Sequence, residues 1–132
     1  MNNKFQIYSL RMTNDLFKIL EISLEETSEL ERQIISAFAF GMINAYAIDE
    51  KIEQPIVHGI MIGVLINEFK YSEKQASEFT QVLINSTDRE YHPTMYTIIH
   101  RGIQAYYDYK EDKEKEVYDN LTYIIDTILT KK

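Results

Sequence analysis

Apolar residues recur every three to four positions through most of this 132-residue chain, and no stretch alternates cleanly at period two. The first spacing lays side chains along one stripe of an α-helix, whereas a half-buried strand needs strict alternation. No Asn-Gly or Asp-Gly pair announces a β-hairpin, and only four Gly and two Pro interrupt the pattern. The chain therefore reads as all-α: one compact bundle of about five to six helices over residues 1–132, around a central apolar helix at about 55–69. With 45% hydrophobic residues, a chain of this length fills one core and has no material for a second. No internal repeat or long linker divides it.

The helices follow from their faces and caps. A short first helix is expected over Asp15–Glu21, capped by Thr13 or Asn14, with Leu16, Ile19 and Leu20 inward. Ser23 with Glu26, or Ser28 with Glu31, forms a capping box that opens a long helix with Leu30, Ile34, Phe38, Met42 and Ala45 as its stripe. Pro55 suits the first turn of the next helix, which is apolar nearly all round and so belongs at the centre of the bundle. Within it Gly59 and Gly63 leave a smooth groove where a neighbouring helix could approach closely. Ser72 with Gln75 opens a fourth helix whose inner face is Ala76, Phe79, Val82 and Leu83. Helix five starts at Pro93, and a last helix, about Asp112–Leu129, turns Val117, Leu121, Ile124, Ile125 and Ile128 inward.

Composition closes off several functions. Without Cys there is no disulfide framework, thiolate zinc site or Cys nucleophile. A net charge of −7 and a pI near 4.9 argue against a protein whose main task is to hold a phosphate backbone, and leave a basic partner open. The start MNNKFQIYSLRMTND lacks the basic and apolar regions of a secretory leader. The longest apolar run, Ile56–Ile66, is interrupted by His58 and is too short for a membrane span of about 20 residues. A soluble cytoplasmic protein, with no membrane association and no cofactor, is the expectation.

The segment Ser86–Gly102, STDREYHPTMYTIIHRG, concentrates the chemistry-bearing residues. One reading is a metal-dependent hydrolase built on His92 and His100, with His58 and Asp88 or Glu90 in support. Eight residues of helix, however, separate His92 and His100 by roughly 12 Å along the axis, too far for two ligands about 2 Å from one zinc. The plainer reading makes His92 a helix cap before Pro93, with Tyr96, His100, Ile103 and Tyr107 on one stripe of the helix that follows. Gly-rich phosphate loops, G-x-S-x-G and H-E-x-x-H are absent from the chain. The acidic run AIDEKIE lacks the ladder and turn glycine of a calcium loop. Tyrosines in AYYDY could stack on bases, but Asp108, Glu111 and Asp112 beside them would repel nucleic acid.

From Val57 to Ile103, through VHGIMIGVLINEFKYSEKQASEFTQVLI and HPTMYTIIHRGI, the chain resembles a family of predominantly α-helical immunity proteins of bacterial polymorphic toxin systems. That resemblance implies cytoplasmic residence, no enzymatic activity and no catalytic residues, and a dedicated toxin as partner, neutralised by stoichiometric occlusion. A nuclease toxin would offer a basic groove, whose complement is the acidic set Glu25, Glu26, Glu29, Asp49, Glu50 and Glu53 at the two ends of helix two. Tyr91, Tyr96, His100, Arg101 and Tyr107 are the candidate anchors, since Tyr and Arg dominate buried interface energies. Spacing alone does not separate a core face from an interface face, so Tyr96 and His100 stand as either. A homodimeric scaffold or regulator, burying the Gly59/Gly63 groove or the tyrosine face against its own copy, is the remaining alternative.

Overall fold

The computed structural model describes residues 3–130. Six α-helices and no strand occur among them: α1 (Asn3–Leu20), α2 (Glu29–Glu50), α3 (Gln54–Phe69), α4 (Glu73–Asn85), α5 (Pro93–Lys110) and α6 (Glu114–Leu129). A single 3-10 turn, Leu24–Glu26, joins α1 to α2. The all-α bundle expected from periodicity is the fold observed.

Both capping boxes offered by the sequence form, and they do different work. Ser23 and Glu26 close the 3-10 turn, while Ser28 accepts the Glu31 N–H (3.1 Å) and Glu31 accepts the Ser28 N–H (2.7 Å) to open α2. Ser72 and Gln75 cap α4 in the same way. His92 caps α5, its Nδ1 accepting the Met95 N–H at 3.1 Å, and Pro93 takes the first helical position.

The centre of the bundle is α2 rather than α3. Every residue from Ile34 to Ile43 is buried, so α2 is covered on all sides. In contrast, α3 buries only Val57, Met61, Val64, Leu65 and Phe69, while Ile56, Ile60, Ile62 and Ile66 are half-buried. An apolar circumference is necessary for a central helix but not sufficient, because the neighbours must also be there. Nothing packs on the Gly59/Gly63 side: a Cβ added at either glycine would meet no atom within 4 Å. The close approach lies elsewhere, between α2 and α5. A Cβ on Gly41 would collide with the Ile99 carbonyl oxygen, and one on Gly102 with that of Phe38. These two helices run alongside in the same direction, as Phe38 opposite Gly102, the Tyr46 ring 6.0 Å from that of Tyr106, and Asp49 bonded to Lys110 show. Parallel neighbours need a long return path, which α3 and α4 supply.

The first helix is longer than its apolar pattern suggests. Its buried face continues upstream through Phe5, Ser9, Met12 and Thr13, and the hydroxyls in that stripe hide the period from a reading by hydrophobicity. Thr13 donates to the Ser9 carbonyl at 2.9 Å, and Asn14 donates to Glu68 at 3.3 Å, so neither is a cap. Leu30, expected inward, is 41% exposed because α2 enters the bundle only from Ile34 onward. In α4 the buried residues are Ala76, Thr80 and Leu83, with Phe79 and Val82 half-buried at the rim. The last helix buries Val117, Leu121, Ile124 and Ile125, and leaves Ile128 at its fraying end half-buried.

Candidate interaction surface

Helix α5 buries Met95, Ile98, Ile99, Gly102, Ala105 and Tyr106, and turns the opposite stripe outward. On that stripe Tyr96 and Ile103 are half-buried, and His100 and Tyr107 are exposed. The Tyr96 and His100 rings lie 4.2 Å apart, tilted by 43°. Arg101 points to α6 instead. Its Nη1 donates to Asn120 Oδ1 at 2.7 Å, Asn120 Nδ2 donates back to the Arg101 carbonyl at 3.2 Å, and the guanidinium sits 4.8 Å from the centre of the Tyr123 ring. Such a cation–π contact at a partly exposed site contributes on the order of 0.5–1 kcal/mol, and together with the bond to Asn120 Oδ1 it holds the side chain in one pose.

The acids at the two ends of α2 differ in what already engages them. At its entrance, Glu26 accepts the Ser23 N–H at 2.7 Å, and Glu29 accepts the Tyr71 hydroxyl at 3.0 Å. Burial, and then the Glu29 carboxylate, push the Tyr71 pKa up. Glu25 lines an open cleft of about 560 Å³ together with Lys18, Glu21, Glu68 and Lys70, three glutamates against two lysines. At the exit, Asp49 Oδ2 accepts from Lys110 Nζ at 3.1 Å and from the Tyr106 hydroxyl at 3.0 Å. Those two donors, Lys110 first, hold the Asp49 carboxyl below its ordinary 3.8. Glu50 and Glu53 are exposed and, among the described residues, enter no ion pair; Glu53 heads α3 without a side-chain capping bond.

The eleven residues singled out by sequence thus fall in three places. Glu25, Glu26 and Glu29 surround the entrance of α2. Asp49, Glu50, Glu53 and Tyr107 share the exit end, where Tyr106 links Asp49 to Tyr107 through rings 5.1 Å apart. Tyr96, His100 and Arg101 lie along the first half of α5, with exposed Tyr91 in the connection before it. From Glu29 to Glu50 is about 30 Å of helix, roughly the full width of a standard interface burying about 800 Å² per partner. The two acidic groups are therefore not one patch.

Nor do the histidines assemble a metal site. Among the described residues, no three His, Asp or Glu side chains gather into a group that would hold an ion. The helix-cap bond occupies His92 Nδ1, and His100 packs on Tyr96. No helix among the described residues is long and apolar enough to cross a membrane.

The family model described as immunity protein 48 matches residues 5–129. The chain belongs to that family. No curated protein and no solved structure matches it. The match runs from Phe5 in α1 to Leu129 in α6, so the family unit is the whole bundle rather than the Val57–Ile103 block alone.

Membership makes this chain an immunity protein and implies a toxin partner. In this immunity protein, one surface residue escapes a reading by residue type: Ile48, 69% exposed in the last turn of α2. It sits one step past Ala47 on an otherwise apolar helix and looks like core until the bundle's end is located. Tyr123 and Asn120, which hold Arg101, are likewise invisible until α6 is laid antiparallel against α5.

Proposed function

We propose that this immunity protein neutralises its toxin by stoichiometric occlusion in the cytoplasm, binding over the active site or substrate-binding surface without catalysing a reaction. The family match over residues 5–129 carries this reading. The exposed stripe of α5 supports it: Tyr96, His100 and Tyr107 stand on a helix locked to α2 at Gly41 and Gly102, so the anchors are preorganised and lose little entropy on binding. The net charge of −7 would speed encounter with a basic toxin, such as a nuclease whose groove binds phosphates. The test is co-expression with the toxin encoded beside this gene in a sensitive host, followed by pull-down. Rescue with a 1:1 complex is expected; a toxic phenotype that persists, with no complex, would refute it.

A further inference from the structure

The exit end of α2 is the part of the surface best built to enter a partner. Ile48 is the most exposed large hydrophobic side chain among the described residues at 69%, on a helix whose central ten residues are all buried. A lone surface aliphatic is ordinary, but this one has company. Tyr107, at the same end of the bundle, is 46% exposed. Its ring meets that of Tyr106 edge-on at 5.1 Å, and Tyr106 is fixed by its hydroxyl bond to Asp49 and by Lys110 above its face at 5.7 Å. The two helix ends and the turns after them, residues 49–53 and 108–113, carry six acids against three lysines. Asp49 and Glu50 occupy the last turn of α2, where the helix dipole opposes a carboxylate; Lys110 pairs with Asp49, whereas Glu50 enters no ion pair among the described residues. A protruding apolar side chain and an unpaired acid, Glu50, at a helix C-terminus both break local folding preferences, and such breaks concentrate at functional sites.

Resting on the immunity reading, we infer that Ile48 and Tyr107 insert into an apolar depression on the toxin whose rim is basic, with Glu50 and Glu53 facing that rim. The apolar pair forms the dry centre and the acids the polar surround, the arrangement of a protein–protein hot spot. The acids at the entrance of α2 lie outside this contact, because about 30 Å of helix separates them from it.

The experiment measures Kd by calorimetry between the full chain and the toxin encoded beside its gene, for Ile48→Asp, Glu50→Lys and Glu25→Lys. All three positions are exposed, and unchanged thermal melts check that each variant folds. Ile48→Asp and Glu50→Lys are each expected to raise Kd at least tenfold, and Glu25→Lys less than twofold. Values for Ile48→Asp and Glu50→Lys within twofold of wild type would overturn this surface alone, as would a larger effect from Glu25→Lys. So would a wild-type dimer that Ile48→Asp converts to monomer without changing toxin affinity, since the face would then serve a second copy. Failure of the wild type to bind the toxin would overturn the immunity mechanism together with it.

Discussion

Two pairs of glycines in this chain have opposite meanings, and only their surroundings tell them apart. Gly41 and Gly102 let the backbones of α2 and α5 touch, each standing where a Cβ would overlap a carbonyl oxygen of the other helix. Gly102→Ala must push the helices apart along the best-packed contact of the core, and is expected to cost about 3 kcal/mol in urea unfolding. Adding Gly41→Ala should cost less than it does alone, because both act on one contact. Gly59→Ala is expected to do the reverse. Its Cβ would meet nothing within 4 Å, so it gains helix propensity at no steric cost and should stabilise the fold by about 0.5–1 kcal/mol. Sequence alone favoured the Gly59/Gly63 pair as the contact, because a four-residue spacing within one helix is visible there. A contact between Gly41 and Gly102, 61 positions apart, leaves no such trace.

Among the elements, α2 depends most on its ends. It carries the core, so fraying at its entrance exposes Ile34 and Ile35 to water. Ser28→Ala removes the oxygen that accepts the Glu31 N–H and should destabilise the protein by about 1 kcal/mol, with amide exchange accelerated first over residues 29–32. Helix starts marked by S-x-x-E or S-x-x-Q were legible because the pattern is local, and all three boxes form, whereas the start of α1 at Asn3, expected at Asp15, carries no such mark. The ends of α1, α3 and α6 were legible from where the apolar stripe stops, at the observed Leu20, Phe69 and Leu129, although no glycine marks them. Glu21, Lys51, Lys70 and Asp112 adopt positive φ of 58–63° at the ends of helices, positions where glycine is the usual signal. All four glycines sit inside helices, so the common punctuation is missing.

For the whole molecule, three hydroxyl–carboxylate bonds fasten distant elements: Tyr71 to Glu29 (3.0 Å), Tyr106 to Asp49 (3.0 Å) and Tyr109 to Asp15 (2.7 Å). Burial, then the carboxylate partner, raises each of these tyrosines above its ordinary 10.0. The folded state therefore holds their protons more tightly than the unfolded chain. Their contribution is fully present below pH 10.0 and is lost as pH rises beyond it. Urea midpoints should fall in that alkaline range, with part of the tyrosinate absorbance appearing only on unfolding. Asp49 acts in the other direction. Lys110 and Tyr106 lower its pKa from 3.8, so its contribution is present above that value and disappears as pH falls below it. Tyr106→Phe should shrink this acid-range loss while leaving the alkaline loss from Tyr71 and Tyr109 in place.

The residues alone settle whatever depends on neighbours within about four positions: the all-α class, the starts of α4 and α5, the two capping boxes before α2, the cap at His92, and Tyr96, His100 and Tyr107 as one stripe, whose facing stayed open. Tertiary structure decided everything that needs two helices at once. It made α2 the centre by surrounding it, although α3 is the more uniformly apolar. It left Gly59 and Gly63 open while pressing Gly41 against Gly102. It engaged Glu26, Glu29 and Asp49 in bonds within the bundle and left Glu50 and Glu53 exposed at the end of α2 that also exposes Ile48. Burial is a property of the space around a side chain, and periodicity records only which side chains share a face.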